Sequence, residues 1–208
     1  MLVVRGAEPG GIEVLILRRS RSSRFAPGFV VFPGGAVDDG DRELARRWFG
    51  SPAELDRACA VRELREEVGL VMGSDGTVRA PGGRTGGADP VDARALPEIG
   101  HWVAPEFLPV RFDARFFAAR AQEGAEPQPD GTEIDRAWWS RPADVLQAQR
   151  EGDVALMWPT VVTLEALSWC GGVGDVLTGF RVDQVEPPAG ARRWPDAVSR
   201  DDRSRFEP

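Results

Sequence analysis

Arg62-Glu63-Leu64-Arg65-Glu66-Glu67-Val68-Gly69-Leu70 is the stretch on which the reading of this chain turns. At about 100° per residue, Glu63, Glu66 and Glu67 span about 100° of one helix face. Val61, Leu64 and Val68 lie away from that face and suit a core contact. Ser51 fits the N-cap, Pro52 the first helical position and Glu54 the third, a capping box, so a helix is predicted over residues 52–68. Gly69 supplies the left-handed stop. Three carboxylates within one turn repel one another. A helix tolerates them as a solvated face, the commoner case, or because a hard divalent cation neutralises them.

Working outward, Phe32-Pro33-Gly34-Gly35 ends a strand predicted over residues 29–32. Two glycines let backbone approach a ligand closely, and a free carbonyl there can join a metal shell. Further strands are predicted over residues 12–17, 99–103, 111–118 and 134–139, and helices over 41–49 and 142–150, with another opening at Pro159. Residues 73–90 hold six glycines and read as a loop within a single domain of residues 1–184, and residues 185–208 as a tail.

Composition removes several chemistries. The chain has 208 residues, a formal net charge of -7, two cysteines and one histidine. An acidic balance argues against a nucleic-acid partner. Cys59 and Cys170 form no CxxC pair, and His101 alone builds no multi-histidine site, so zinc ribbons and iron–sulfur clusters are excluded. All 26 basic residues are arginine, which rules out Schiff-base chemistry and a P-loop lysine. No apolar run reaches membrane-helix length and the first eleven residues do not suit a signal peptide, so no membrane association and a cytoplasmic location are expected. His101 reads as a strand residue, the two cysteines as buried thiols, and Trp102, Trp138, Trp139 and Trp158 mainly as core.

The segment Glu54, seven residues, then Arg62-Glu63-Leu64-Arg65-Glu66-Glu67-Val68-Gly69-Leu70 resembles the second half of the box of Nudix hydrolases. In that family the box opens with a glycine five residues before the first glutamate. Here eighteen residues instead of five lie between Gly35 and Glu54, which places an insert of thirteen within residues 37–50, followed by an independent helix start. The resemblance implies an α/β/α sandwich with a mixed sheet and a Glu-rich metal helix. It implies Mg2+ or Mn2+ held by Glu63, Glu66 and Glu67, with the Gly35 carbonyl as a further ligand. Arg62 is then a structural ion-pair partner of Glu54, although capping also accounts for Glu54. Glu133, just before Trp138-Trp139, stands where the family often places a loop carboxylate. It or Glu67 is the expected general base, and Glu133 is alternatively an extra ligand or a solvated edge residue.

Ser20, Arg24, Gly28 and Phe32-Pro33-Gly34-Gly35 are similar in spacing to the signature of the coenzyme A diphosphatases of this family. The threonines expected upstream are missing, and Arg18 and Arg19 stand there instead. The resemblance makes Arg24, Gly28 and Gly34 candidate substrate-binding positions. The expected activity is metal-dependent hydrolysis of a nucleoside diphosphate linked to another moiety, coenzyme A or its thioesters being favoured. Nucleotide sugars and dinucleotides are the alternatives within the class, and a non-catalytic ligand-binding regulator the alternative outside it. A homodimer is left open.

Overall fold

The computed structural model describes residues 1–23, 25–81, 91–104 and 112–185. Its sheet is organised around β2 (Ile12–Arg19). The β-branched and apolar side chains of Val14, Leu15, Ile16 and Leu17 are all fully buried, so this strand is covered on both faces rather than half-solvated. Strand alternation sends Leu15 and Leu17 into one core and Val14 and Ile16 into another.

The chain begins with β1 (Leu2–Gly6), β2, β3 (Phe29–Val31), α1 (Asp41–Phe49), α2 (Leu55–Val68), β4 (Val71–Met72) and β5 (Thr77–Arg79). It continues with β6 (Glu98–Val103), β7 (Asp113–Ala121), β8 (Ile134–Ser140), α3 (Pro142–Glu151), β9 (Ala155–Leu156), α4 (Trp158–Leu167) and α5 (Val173–Thr178). The sheet is mixed and runs β4-β5-β7-β1-β2-β3-β9, with β8 added to β2 and β6 to β7. β8 pairs antiparallel with β2 over residues 14–19, while β1 takes residues 12–14 and β3 residues 17 and 18. Because Val14 and Leu17 each have two strand partners, β1 and β3 share the edge opposite β8 and meet end to end. The backbone nitrogen of Met1 donates to the Pro33 carbonyl at that junction.

Helix α2 covers one face through Val61, Leu64 and Val68, joined by Leu70, Phe117 and Ile134. Helices α3, α4 and α5 cover the other through Val145, Leu146, Leu164, Leu167 and Val176. This is the expected α/β/α sandwich. The helix predicted over residues 52–68 is two pieces. Ser51 Oγ accepts from Ala53 N at 3.2 Å and starts a 3-10 turn, Pro52–Glu54, and α2 begins only at Leu55. Gly69 closes α2 in the left-handed region, φ 69°, donating to the Arg65 carbonyl at 2.9 Å.

The segment read as a loop over residues 73–90 contains β5, whose Thr77 and Val78 pair in parallel with Arg120 and Ala121. Residues 82–90 and Arg111 lie outside the described residues, as does the tail from residue 186. No helix among the described residues is long and apolar enough to cross a membrane.

Candidate active site

The turn after β3 lies against the last two turns of α2. Gly34, at φ 152°, turns its backbone N–H onto Glu67 Oε2 at 2.9 Å. A side chain on Gly35 would collide with the Glu63 carboxylate, so the second glycine is what lets Glu63 press against the backbone. The Gly35 carbonyl accepts from the Cys59 thiol at 3.7 Å. Gly34 thus brings a backbone N–H to Glu67, and Gly35 makes room for Glu63 one turn earlier.

These carboxylates are not a solvated face. Glu67 is 3% exposed. Burial pushes its carboxyl up to about 8, against the pull of the Gly34 N–H and with a further push from Glu63. Burial also raises Glu63, Arg62 opposes that rise, and the charges of Glu66 and Glu133 add to it. Glu66 is more open and its Oε2 accepts from Arg62 Nη1 at 2.8 Å.

Arg62 is the hub. Its Nε and Nη2 grip the two oxygens of Asp41 at 2.8 and 2.9 Å. Nη2 also donates to the Ala36 carbonyl at 3.1 Å, and Nη1 reaches Glu63 at 2.8 Å. Asp41 is fully buried. Burial alone would raise its carboxyl, but the Arg62 hydrogen bonds and the Asp38 N–H hold it below the ordinary range. A planar guanidinium satisfies this many acceptors because its five N–H groups point outward in one fork.

This geometry corrects the expected Arg62–Glu54 ion pair. Glu54 bonds to Arg57 one turn along, and Arg57 Nε continues to the Leu96 carbonyl at 2.9 Å. The partner of Arg62 is Asp41, which is separated from Gly35 by five residues, the spacing the box asks of its first acidic residue. The thirteen extra residues therefore fall after Asp41, where twenty residues instead of seven precede Arg62. The insert is also not detached from the site, since α1 opens with Asp41 and its Trp48 and Phe49 pack against the α2 core. Glu54, separated from Arg62 by seven residues, satisfies the box by spacing alone. A count forward from Gly35 was the signal that finds Asp41.

The other candidates fall as follows. Glu133 sits exposed just before β8, close enough for its charge to be felt at Glu63. Gly28, φ 77°, turns the chain between β2 and β3 and donates to the Arg19 carbonyl at 3.1 Å. Arg24 lies outside the described residues. His101 is a strand residue of β6 paired to Asp113, away from this cluster. Cys59 is buried beside Gly35, with its thiol pushed up to about 12 by burial and by Asp41, and Cys170 is half-buried.

The donors present are hard oxygens, and two of the carboxyls are desolvated, which suits a hard divalent cation. Among the described residues, no three acidic, histidine or cysteine side chains are gathered as they stand around one point. Glu66 is turned to Arg62, and one Glu67 oxygen is turned to Gly34.

The family model of the NUDIX domain matches residues 1–158. Putative nudix hydrolase 7 of Caenorhabditis elegans is 30% identical over 174 residues, covering 75% of this chain and 56% of that protein. The peroxisomal coenzyme A diphosphatase ndx-8 of the same organism is 41% identical over 64 residues, 31% of this chain and 23% of its own length. The chain thus spans about half the length, or less, of these curated relatives. A solved structure, the NUDIX hydrolase from Alicyclobacillus acidocaldarius, superposes with a TM-score of 0.73 at 34% identity, covering 87% of this chain and 94% of that one. The glycine turn, the carboxylates of α2 and the buried Asp41–Arg62 pair stand within the matched span, and the chain belongs to the Nudix family.

Proposed function

We propose that this chain hydrolyses the diphosphate bond of a nucleoside diphosphate linked to another moiety, with coenzyme A or an acyl-coenzyme A as the favoured substrate. The observation that carries the reading is Glu67, nearly buried, pushed up to about 8 and held against the Gly34 N–H beside Glu63. A fold keeps desolvated, mutually repelling carboxylates at a surface turn when a cation is there to neutralise them.

Glu63, Glu66, Glu67 and the Gly35 carbonyl would hold Mg2+ or Mn2+. Bound there, the ion neutralises the diphosphate and polarises the attacked phosphorus. Arg62 holds Glu63 and Glu66 to one side, and Asp41 holds Arg62. The oxygen of a water adds to phosphorus, the bridging oxygen leaves with the other phosphate, and Glu133 takes the proton of the water. Glu67 is less suited to that task because it is buried and already bonded to Gly34.

The coenzyme A preference is supported by Ser20, Arg24, Gly28 and Phe32-Pro33-Gly34-Gly35, and by the local likeness to the C. elegans coenzyme A diphosphatase. Steady-state kinetics of wild type, Arg24→Ala and Arg24→Lys on coenzyme A and ADP-ribose test it. Loss of a bidentate phosphate contact should raise KM for coenzyme A by roughly 10- to 150-fold in Arg24→Ala, and Arg24→Lys should recover only part. Faster wild-type turnover of ADP-ribose, with Arg24 indifferent to both substrates, would remove coenzyme A and leave diphosphate hydrolysis standing.

A further inference from the structure

We infer that Asp130 is a positioning residue that sets the place of Glu133 relative to Glu67, and that it acts on catalysis only through Glu133. The inference rests on the reading of Glu133 as the proton acceptor.

Residues 126–133 cross the C-terminal end of α2, where the last carbonyls of a helix lack intrahelical partners. Gln128 N donates to the Val68 carbonyl at 2.9 Å, and Asp130 N donates to the Glu67 carbonyl at 3.0 Å. Asp130 is therefore tied by its backbone to the residue whose carboxylate meets Gly34. Its side chain points the other way along the loop. Oδ2 accepts from Glu133 N at 3.0 Å and from the Thr132 hydroxyl, and Oδ1 accepts from Ile134 N at 2.8 Å. Gly131, at φ 75°, makes the reversal and donates to the Ile134 carbonyl at 3.0 Å.

One residue thus bonds to the Glu67 backbone with its own N–H and to the Glu133 N–H with its carboxylate. The opposite side of Glu133 is held too. Its carbonyl accepts from Ser20 N at 2.7 Å and from Ser23 Oγ at 3.2 Å. The backbone of Glu133 is clamped from both directions while its side chain stays exposed and close enough to Glu63 to be felt there. An exposed side chain on the loop before a strand has few packing contacts to place it, so backbone clamping is what fixes its reach. Ser20 and Ser23 tie it to the loop after β2, and Asp130 ties it to the carboxylate helix.

The test is a double-mutant cycle of Asp130→Ala and Glu133→Gln, read as kcat and KM with Mn2+ on coenzyme A, or on ADP-ribose if that is the faster substrate. Asp130→Ala should lower kcat by about 10- to 100-fold, the cost of misplacing a reacting group, with KM within about threefold. In the double variant kcat should equal that of Glu133→Gln alone, because a positioning residue has nothing left to position. Multiplying losses, or an unchanged kcat in Asp130→Ala, would overturn the inference. If Asp130→Ala does not fold, Asp130→Asn, which keeps one acceptor oxygen, enters the same cycle and is judged by the same non-additivity. Full kcat in Glu133→Gln would overturn both the inference and the proton-acceptor role while diphosphate hydrolysis stands. Failure of wild type to turn over any diphosphate would overturn the hydrolase reading itself.

Discussion

Glu67 carries an ionisation that the fold opposes. Burial lifts its carboxyl from an ordinary 4.5 to about 8, so between those values the metal-free native chain keeps a proton that the unfolded chain releases. The native state then binds more protons, and stability falls as pH rises through that window and levels off above about 8. Thermal unfolding in chelator should show a Tm that falls from pH 5 to pH 8. Glu67→Gln should flatten this slope, because an amide oxygen can still accept from Gly34 and no charge is buried. Gly35→Ala makes a complementary prediction. The new methyl meets the Glu63 carboxylate and must displace it, so kcat should fall by at least about 10-fold with only a modest change in Tm. Unaltered kinetics in Gly35→Ala would contradict the placement of Glu63. At this scale the acidic triplet was legible from its spacing, but the unequal burial of its members was not. Glu67 meets the Gly34 turn through its carboxylate and the Asp130 loop through its carbonyl, and both come from distant segments.

Among elements, the insert shows what pattern reading misses. Helix α1 was legible over its whole length, and so were β2, β8 and α3 within a residue or two, because each has a strong apolar period and clear stop residues. Its attachment to Arg62 was not legible, since two acidic residues, Asp41 and Glu54, each satisfied half of the box spacing and only contact distinguishes them. The short strands β1, β5 and β9 escaped for another reason. Two to five residues carry too little periodicity, and these strands exist because neighbouring strands offer them an edge. The sequence alone suggests that a Gly/Ser loop in place of residues 37–49 would spare the metal helix. The structure predicts the opposite, because that replacement removes Asp41 and leaves Arg62 without its buried partner. Asp41→Ala alone should cost about 1.5–3 kcal/mol of stability, the scale for hydrogen bonds to a charged group, since Arg62 keeps Glu63 and Glu66. It should also weaken Mn2+ binding, measured by calorimetry, because Glu63 and Glu66 lose their shared anchor. Denaturant unfolding that matched wild type would contradict the hub role of Arg62.

On the scale of the whole molecule, the two cores divide labour. Among the described residues, the face under α3, α4 and α5 is apolar and carries no candidate group, while the face under α2 ends at the β3 turn, where Gly34, Gly35 and the carboxylates meet. The sheet brings this about by letting β1 and β3 share one edge of β2, which sets the end of β3 beside the start of β1. The α/β/α architecture was legible through the resemblance carried by one helix, whereas the edge sharing, which makes the turn an active-site wall, depends on pairings remote in sequence. The central claim is that a divalent cation held by α2 carboxylates drives diphosphate hydrolysis. The most direct measurement is product release from coenzyme A, ADP-ribose and a diadenosine polyphosphate by wild type and Glu67→Gln, each with chelator, Mg2+ and Mn2+. The account predicts turnover of at least one substrate by wild type only with metal, and a loss of about 10²-fold or more in kcat for folded Glu67→Gln. Turnover undiminished by chelator, or equal in the two proteins, would contradict it.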